Sequence, residues 1–269
     1  MPKQIQFVRL ILMMFFNSVI EFLPISSTAH SIILSKFLEV EISLNIILAI
    51  SQMAIVLSLI YNFRETIVKI LKNFFFYKKM RMFCYNIVLA TLPSMIFGLT
   101  CHRIIRKYLY KNKIIAIFLA IGGLLMIVIE KYRKRRKISE NDYPYTLEDV
   151  SAGDMYKIGI SQAISLIPGI SRSASTIGVA LFLGLPRVLA IDFSFFLSVP
   201  VSVAGLSFDL YREFSVVRDN CLLLSVCFIF NIFFSLFIIK KIMKYLKTNK
   251  LYFFGYYRIA LAVAIFMLG

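Results

Sequence analysis

The chain is poor in the residues that commonly build metal, redox and disulfide sites. Its 269 residues include no tryptophan, only two histidines and only four cysteines. The cysteines show no Cys-x-x-Cys spacing, so neither a zinc cluster nor a disulfide framework is expected. We interpret them as small apolar residues within helices. They are Cys84, Cys101, Cys221 and Cys227.

Acidic residues are also scarce, with 14 Asp and Glu against 31 Lys and Arg and a formal net charge of +17. Such an excess of bases can indicate nucleic-acid binding. Here, however, the bases lie between apolar segments, which is the pattern that the positive-inside rule produces in membrane proteins. The run 131–137 is interpreted as part of a cytoplasmic loop beside anionic headgroups. No nucleic-acid partner is therefore expected.

Apolar residues are abundant, at 59% of the chain, and the mean hydropathy is +0.81. Repeated apolar runs of about 20 residues predict membrane-spanning helices. A β-barrel would instead show alternating strands of about ten residues. The apolar stretch 7–23 runs directly into a polar cluster, so it is assigned to the fold and not to a cleaved signal. The prediction is an all-α polytopic membrane protein, with one integral membrane domain over residues 1–269.

The order of the apolar segments repeats after about 145 residues, which predicts two repeats over about 1–130 and 158–269. In each repeat a segment broken by proline predicts a re-entrant helix hairpin, and three full spans follow. The expected breaks are at Pro24 and at Pro168–Gly169. The expected spans are 43–63, 82–102, 113–130, 189–210, 222–239 and 251–268. A charged loop over about 131–157 would join the repeats, with Thr146-x-x-Asp149 as a helix-start box.

Three crossings in each half would invert the second half relative to the first. Inverted-topology repeats place their site near the membrane midplane, where the broken helices meet. Loops 64–81, 131–157 and 240–250 would share one side with roughly 18 Lys and Arg, against about 7 in the opposite loops. The richer side is expected to be cytoplasmic, which would leave both termini extracytoplasmic.

The polar run 168–176 has the composition of an anion site. Pro168 and Gly169 end one helix, and Ser171, Arg172 and Ser173 begin the next, whose free N–H groups would favour phosphate. Arg172 can donate a bidentate fork to phosphate oxygens. The alternative is a serine-rich turn whose Arg172 extends to the membrane interface.

The polar run 21–30 combines a carboxylate, hydroxyls and an imidazole, which together can perform nucleophilic or acid–base chemistry. Ser27 is the candidate nucleophile and His30 a candidate proton shuttle. Glu21 is a candidate base, orienting group or metal ligand. The alternative for His30 is a ring satisfied by a carbonyl. Ser26 and Thr28 are expected to cap or back-bond to the helix.

Three further polar positions lie within predicted spans. Gln52 is expected to hydrogen-bond a ligand or another helix. Asp192 begins a span, where capping and function are both open. Arg258, near the start of the last span, is expected to anchor that helix to the headgroups.

These residues resemble the bacitracin-resistance family of undecaprenyl-diphosphatases. The family pattern (Glu/Gln)-x-x-x-Glu-Phe-Leu-Pro-x-Ser-Ser-Thr-x-His corresponds to residues 17–30 here, and Pro-Gly-x-Ser-Arg-Ser-x-x-Thr corresponds to 168–176. The resemblance extends to Gln52, Gln162 and the segment 193–200, and so covers essentially the whole chain.

The resemblance implies hydrolysis of undecaprenyl diphosphate, the C55 isoprenyl diphosphate, to the monophosphate and inorganic phosphate. This reaction recycles the lipid carrier for peptidoglycan and cell-wall synthesis and confers bacitracin resistance. The resemblance also implies a location in the bacterial plasma (inner) membrane, an extracytoplasmic active site and assistance by Mg²⁺ or Ca²⁺. Whether the protein forms a homodimer stays open. The functional residues that it implies are Glu21, Ser27, His30, Ser171, Arg172, Ser173 and Thr176. We assign Glu21, Ser27, His30 and Arg172 to catalysis, and we assign Ser171, Ser173 and Thr176, together with Ser26, Thr28 and Gln52, to substrate binding.

Three positions depart from the family pattern. Asn17 replaces the first Glu or Gln and is one methylene shorter, so its expected contact with the metal or the phosphate would be poor or water-mediated. Ala54 and Ala174 replace glycines. Two other functions stay open: a lipid-phosphate transporter or flippase, since inverted repeats are typical of transporters, and a weakly active family member because of Asn17.

Overall fold

The computed structural model describes residues 3–39, 42–136, 146–212 and 214–268. Within these ranges the regular structure is helical and no strand occurs. The helices are α1 (Lys3–Ile20), α2 (Ser27–Leu38), α3 (Leu44–Asn62), α4 (Arg64–Asn73), α5 (Lys78–Ile104), α6 (Asn112–Arg136), α7 (Ala152–Ile164), α8 (Arg172–Phe182), α9 (Arg187–Arg212), α10 (Phe214–Asp219), α11 (Cys221–Thr248) and α12 (Tyr252–Leu268). A π-helical turn (Ile105–Leu109) follows α5, and a 3₁₀ turn (Leu147–Asp149) precedes α7.

Five of the described helices, α3, α5, α6, α9 and α11, are long and apolar enough to cross a membrane. The outer faces of these helices expose large apolar side chains such as Leu99, Phe233 and Phe237. Surfaces of this kind are suited to lipid and not to water. The prediction of an all-α, multi-pass membrane protein is confirmed. The sixth predicted span, α12, is apolar but shorter than the other five.

The predicted loop over 131–157 is wrong at both ends. Helix α6 continues to Arg136, and α7 begins at Ala152, where the Ser151 side chain accepts from the Asp154 amide. Basic residues in the last turn favour a longer helix, because they interact well with its negative end. Arg133 also donates to the carbonyls of Leu181 and Leu185, both at 2.9 Å. Residues 137–145, which include the last base of the run 131–137, lie outside the described residues.

The predicted Thr146-x-x-Asp149 box is present, and it caps the 3₁₀ turn before α7. The Thr146 amide and hydroxyl both donate to the Asp149 carboxylate, which also pairs with Lys79 of α5. These bonds hold the pKa of the Asp149 carboxyl below its usual value. The connection that enters α7 is thereby tied to α5.

Two helix breaks lie where the prolines predict them. Helix α1 ends at Ile20 and α2 begins at Ser27, on either side of Pro24. Helices α7 and α8 flank the Pro168–Gly169 break in the same way. Gly169 has φ +96°, and a Cβ there would lie 2.6 Å from the Ile115 carbonyl oxygen, so this turn requires glycine.

The helices pack so that the two breaks face a common centre. Helix α12 runs along α6, while α3 is contacted by α1, α9 and α11. Helix α8 packs against α6, α7 and α9. The α6–α12 contact is close because glycines lie on both sides of it. A Cβ at Gly123 would be 2.6 Å from the Gly255 carbonyl oxygen, and one at Gly255 would be 2.8 Å from that of Gly123.

We therefore expect Gly255→Val to force α6 and α12 apart and to destabilise the protein by about 1–3 kcal/mol. Thermal unfolding in detergent measures this. Gly205→Val is the matched control, because a Cβ at Gly205 would meet nothing within 4 Å. Equal melting temperatures for the two variants would show that the glycine contact is not a packing constraint.

Candidate active site

A polar cavity of about 300 Å³ lies between α1, α2, α3 and the start of α8. Both polar runs singled out in the sequence contribute to its wall, and α3 closes it. The lining residues are Asn17, Glu21, Ser26, Ser27, Thr28, Leu48, Ser51, Gln52, Ile55, Ser165, Leu166, Ile170, Ser171 and Arg172. The structure thus brings most of the predicted site residues together.

An ion pair joins the two polar runs across this cavity. Arg172 Nη2 donates to Glu21 Oε1 at 2.7 Å, and the side chains are 20% and 15% exposed, respectively. Arg172 Nη1 donates to the hydroxyl of Ser202 on α9, which also accepts from Gln52 Nε2 at 3.0 Å. The guanidinium is therefore held inside the cavity, and the alternative in which it extends to the interface is wrong.

The start of α8 has the features of an anion site. Ser171 Oγ accepts from the Ala174 amide at 3.3 Å and lies 3.1 Å from Ser173 Oγ. The first N–H groups of α8 and the Arg172 guanidinium thus lie at the same cavity wall. This combination favours a phosphate group.

Two predicted substrate-binding residues lie outside the cavity lining. Ser173 donates to the Leu23 carbonyl at 3.2 Å and so ties α8 to the first break. Thr176 donates to the Arg172 carbonyl at 3.0 Å within its own helix. Neither side chain is among the lining residues. Both support the start of α8 in this structure, and their predicted substrate contacts stay predictions.

In the first run, Ser27 and Thr28 begin α2 and line the cavity, together with Ser26. Ser26 is buried and has φ +74°, a conformation that an L residue rarely adopts. Such strain is frequent at functional sites. Ser26 occupies the N-cap position of α2, but its side chain does not form the capping bond that was expected.

His30 is held beside the cavity and does not line it. Its Nδ1 lies 2.8 Å from the Ser26 carbonyl oxygen, and its Nε2 lies 2.7 Å from the Tyr257 hydroxyl. The imidazole also stacks on the Tyr257 ring. This arrangement fits a ring that is satisfied by a carbonyl, and it positions the strained Ser26–Ser27 backbone. The proton-shuttle role of His30 stays a prediction.

The side chains that line the cavity do not by themselves form a complete set of metal ligands. Among the residues that the structure describes, no three His, Cys, Asp or Glu side chains converge on a metal position. Glu21 is the carboxylate at the cavity, and the Asn17 carbonyl oxygen accepts a bond from Ser31 at 2.5 Å. These residues fit a cation that takes one protein carboxylate and otherwise phosphate oxygens and water, as Mg²⁺ commonly does.

The predicted role of Arg258 as a headgroup anchor is wrong. Its place inside the protein, between the two helix breaks, was not predicted from the sequence. The side chain is fully buried, at 0% exposure. It donates to the carbonyls of Pro24 at 3.2 Å, Gly169 at 2.8 Å and Leu119 at 3.3 Å. One guanidinium therefore satisfies backbone oxygens at both helix breaks. A charge within an otherwise apolar helix was the available signal.

Ser51 and Ser202 were also missed, because a single serine in an apolar helix has no distinguishing pattern. Other charge pairs lie outside the lining of this cavity. Asp192 is partly buried and pairs with Lys247 at 2.6 Å, so it is not a simple cap, and it does not line the cavity that holds Glu21 and Arg172. A buried pair, Glu130 with Arg187 at 2.8 Å, joins α6 to α9.

Together, the helices and the site define a multi-pass helical membrane protein with a phosphate-sized polar cavity between two helix breaks. Residues 10–264 match the family described as bacitracin resistance protein BacA. The chain belongs to this family.

Curated relatives carry the name undecaprenyl-diphosphatase. The protein of Thermoanaerobacter pseudethanolicus is 36% identical over 255 residues, covering 92% of this chain and 91% of the relative. That of Clostridium tetani is 32% identical over 252 residues, covering 93% and 91%. That of Methylobacillus flagellatus is 31% identical over 247 residues, covering 91% of each. The similarity spans the cavity and both helix breaks.

We expect Arg258→Met to loosen both helix breaks, because each carbonyl left without a donor costs about 1–3 kcal/mol. The checks are thermal unfolding and amide hydrogen exchange over residues 20–27 and 165–172. Faster exchange in both segments is the expected result. Arg64→Met is the control, since Arg64 is exposed and its side chain bonds a nearby carbonyl. Unchanged exchange in either segment would contradict the bridging role.

Proposed function

We propose that this protein hydrolyses undecaprenyl diphosphate to undecaprenyl phosphate and inorganic phosphate. The observation that carries the proposal is the Glu21–Arg172 pair in a polar cavity at the start of α8. The names of the relatives support the same substrate. The reaction recycles the lipid carrier for peptidoglycan synthesis, and it accounts for the association of the family with bacitracin resistance.

Substrate phosphates compete with Glu21 for the Arg172 guanidinium. The N–H groups at the start of α8 and the guanidinium neutralise the diphosphate and the charge that develops as the bridging P–O bond breaks. As Arg172 turns toward the phosphates, the Glu21 carboxylate becomes free to accept a proton. Ser202, which also accepts a bond from Gln52, keeps the guanidinium in the cavity during this exchange.

The attacking group is Ser27, another hydroxyl of the cavity, or water. Ser27 lies at the cavity wall in the first turn of α2, beside the strained Ser26. Attack on the terminal phosphorus releases undecaprenyl phosphate. If Ser27 attacks, Glu21 accepts the hydroxyl proton, and water then hydrolyses the phosphoserine to inorganic phosphate. If water attacks, Glu21 accepts its proton and inorganic phosphate forms directly.

Glu21 would supply the protein oxygen for a divalent cation, Mg²⁺ or Ca²⁺, which when bound would neutralise phosphate charge. The protein's own residues bind and orient the diphosphate, and the apolar walls from Leu48, Ile55 and Ile170 limit access of water.

The two halves form an inverted-topology repeat, each with a re-entrant hairpin that carries one polar run. The equivalent placement of the breaks, about 145 residues apart, supports this topology. The bonds from Arg258 to one carbonyl in each break support it as well. The protein resides in the bacterial plasma membrane with its cavity on the extracytoplasmic side, and the prenyl chain extends between helices into lipid.

Purified wild-type protein in detergent is expected to release phosphate from C55 isoprenyl diphosphate, and a chelator is expected to slow the release. Arg172→Ala and Glu21→Ala each lower kcat/KM by about 100-fold or more, because the first removes the charge that neutralises the reacting phosphates and the second removes the proton acceptor. Arg64→Ala and Glu65→Ala are matched controls, since these residues form an exposed ion pair at 3.5 Å on α4.

Full activity in both cavity variants would overturn the assignment. Movement of the lipid across a liposome membrane without phosphate release would favour the transport function instead. Ser27→Ala separates the two attack routes: loss of a trapped phosphoenzyme together with activity indicates serine attack, and retained activity indicates water.

A further inference from the structure

Two polar atoms at the cavity wall are buried and lack a hydrogen-bond partner within the described part of the chain. They are Asn17 Nδ2 and Ser51 Oγ. Asn17 is 3% exposed and Ser51 is 1% exposed, and both line the cavity with Glu21 and Arg172. A buried polar group without a partner costs about 1–3 kcal/mol. Two such groups in one cavity indicate that a ligand completes their bonds.

The hydrogen bonds around Asn17 determine which of its atoms is available. Its Oδ1 accepts from the Ser31 hydroxyl at 2.5 Å, and Ser31 is itself buried on α2. The amide nitrogen is the atom left without a partner. An amide N–H₂ group donates hydrogen bonds and does not ligate a cation. Asn17 therefore presents a donor, although its position in the sequence suggested a metal contact.

Both residues are held on packed helices. Ser18, next to Asn17, bonds Asn231 of α11, and Ser235 donates to Ser18 at 3.1 Å. Asn231 Nδ2 also donates to the Ser51 carbonyl at 3.5 Å. This buried network links α1, α3 and α11 directly behind the two unpartnered atoms. Ligand-binding groups on rigid elements lose little freedom when the ligand binds.

We propose that Asn17 Nδ2 and Ser51 Oγ donate hydrogen bonds to a phosphate oxygen of the substrate. Asn17 is then a substrate-binding residue and not a metal ligand. This inference rests on the proposed diphosphatase function and adds a neutral donor pair to the anion-binding groups Arg172 and Ser171. Phosphate oxygens are the natural acceptors because the cavity already carries a cationic fork and a helix N-terminus.

The neutral amide at position 17 also affects how strongly diphosphate binding depends on a divalent cation. A second carboxylate in this cavity would repel the phosphates unless a cation lay between them. Asn17 avoids this repulsion, so the diphosphate should bind this protein measurably without a divalent cation.

The test is calorimetric binding of a non-hydrolysable prenyl methylenediphosphonate in detergent with EDTA. Wild-type protein is expected to bind. Asn17→Asp keeps the acceptor for Ser31, removes the donor and adds a charge that repels phosphate, so its binding should weaken by about tenfold or more. Ser51→Ala should weaken binding by about tenfold, because a bond to a charged phosphate oxygen is lost. Thermal unfolding identifies any variant that fails to fold.

Ser58→Ala and Asn62→Asp are the matched controls on α3. Ser58 donates to the Ala54 carbonyl at 2.9 Å, Asn62 contacts the Met243 sulfur, and neither lines the cavity. Both controls should bind the analogue as the wild type does. A melting temperature that falls without a change in affinity would assign Asn17 and Ser51 a purely structural role and overturn the proposal.

Two further results would overturn it. One is wild-type binding that disappears in EDTA. The other is an Asn17→Asp variant that reaches half-maximal binding at a lower Mg²⁺ concentration than the wild type, which would make position 17 a metal ligand. Phosphate release by the wild type is measured in parallel. Its absence would count against the proposed function, whereas release with unchanged binding in Asn17→Asp and Ser51→Ala would overturn this inference alone.

Discussion

The ion pair between Glu21 and Arg172 connects the two halves of this protein at their least regular points. In a low-dielectric interior each charge alone would be costly, and the pair lowers that cost only while the end of α1 and the start of α8 keep their positions. The Ser202 hydroxyl accepts a further bond from the guanidinium and is itself bonded by the Gln52 amide. The cavity, its anion preference and the proposed chemistry all depend on this arrangement.

A second constraint explains how the breaks persist inside an apolar protein. Interrupted helices leave carbonyls without intrahelical partners, and hydrocarbon provides none. Arg258 supplies donors to the carbonyls of Pro24 and Gly169 from the last helix. A guanidinium suits this task because its five N–H groups spread in a fixed plane and stay charged. The same side chain requires glycine at its contact with α6, where a Cβ at Gly122 would overlap the guanidinium.

Much of this architecture follows from local pattern. Apolar runs predicted the long helices, and proline with clustered hydroxyls predicted both breaks and the residues that meet in the cavity. The sequence was less informative wherever a side chain acts far from its own segment. Arg258 was assigned to the headgroups because its burial depends on how α12 packs against α6. The end of α6 was placed too early because a run of bases was interpreted as loop.

Individual hydroxyls were the hardest to assign. Ser171, Ser173 and Thr176 look equivalent in sequence, yet only Ser171 lines the cavity, because Ser173 bonds the Leu23 carbonyl in the first break and Thr176 bonds the Arg172 carbonyl in its own helix. Ser51 and Ser202 carry no pattern and lie at the site through the packing of α3 and α9. Helical periodicity predicts which residues share a face, but it does not predict which neighbour satisfies each polar atom.

The claim that Glu21 and Arg172 form one partly buried unit is tested most directly by a double-mutant cycle on thermal stability, with Glu21→Gln, Arg172→Gln and the double variant. Each single variant leaves one charge unpaired in the cavity, so the double variant should be more stable than the sum of the two single losses, by at least about 1 kcal/mol. Strictly additive losses would contradict the account, because they would mean that the two charges do not interact.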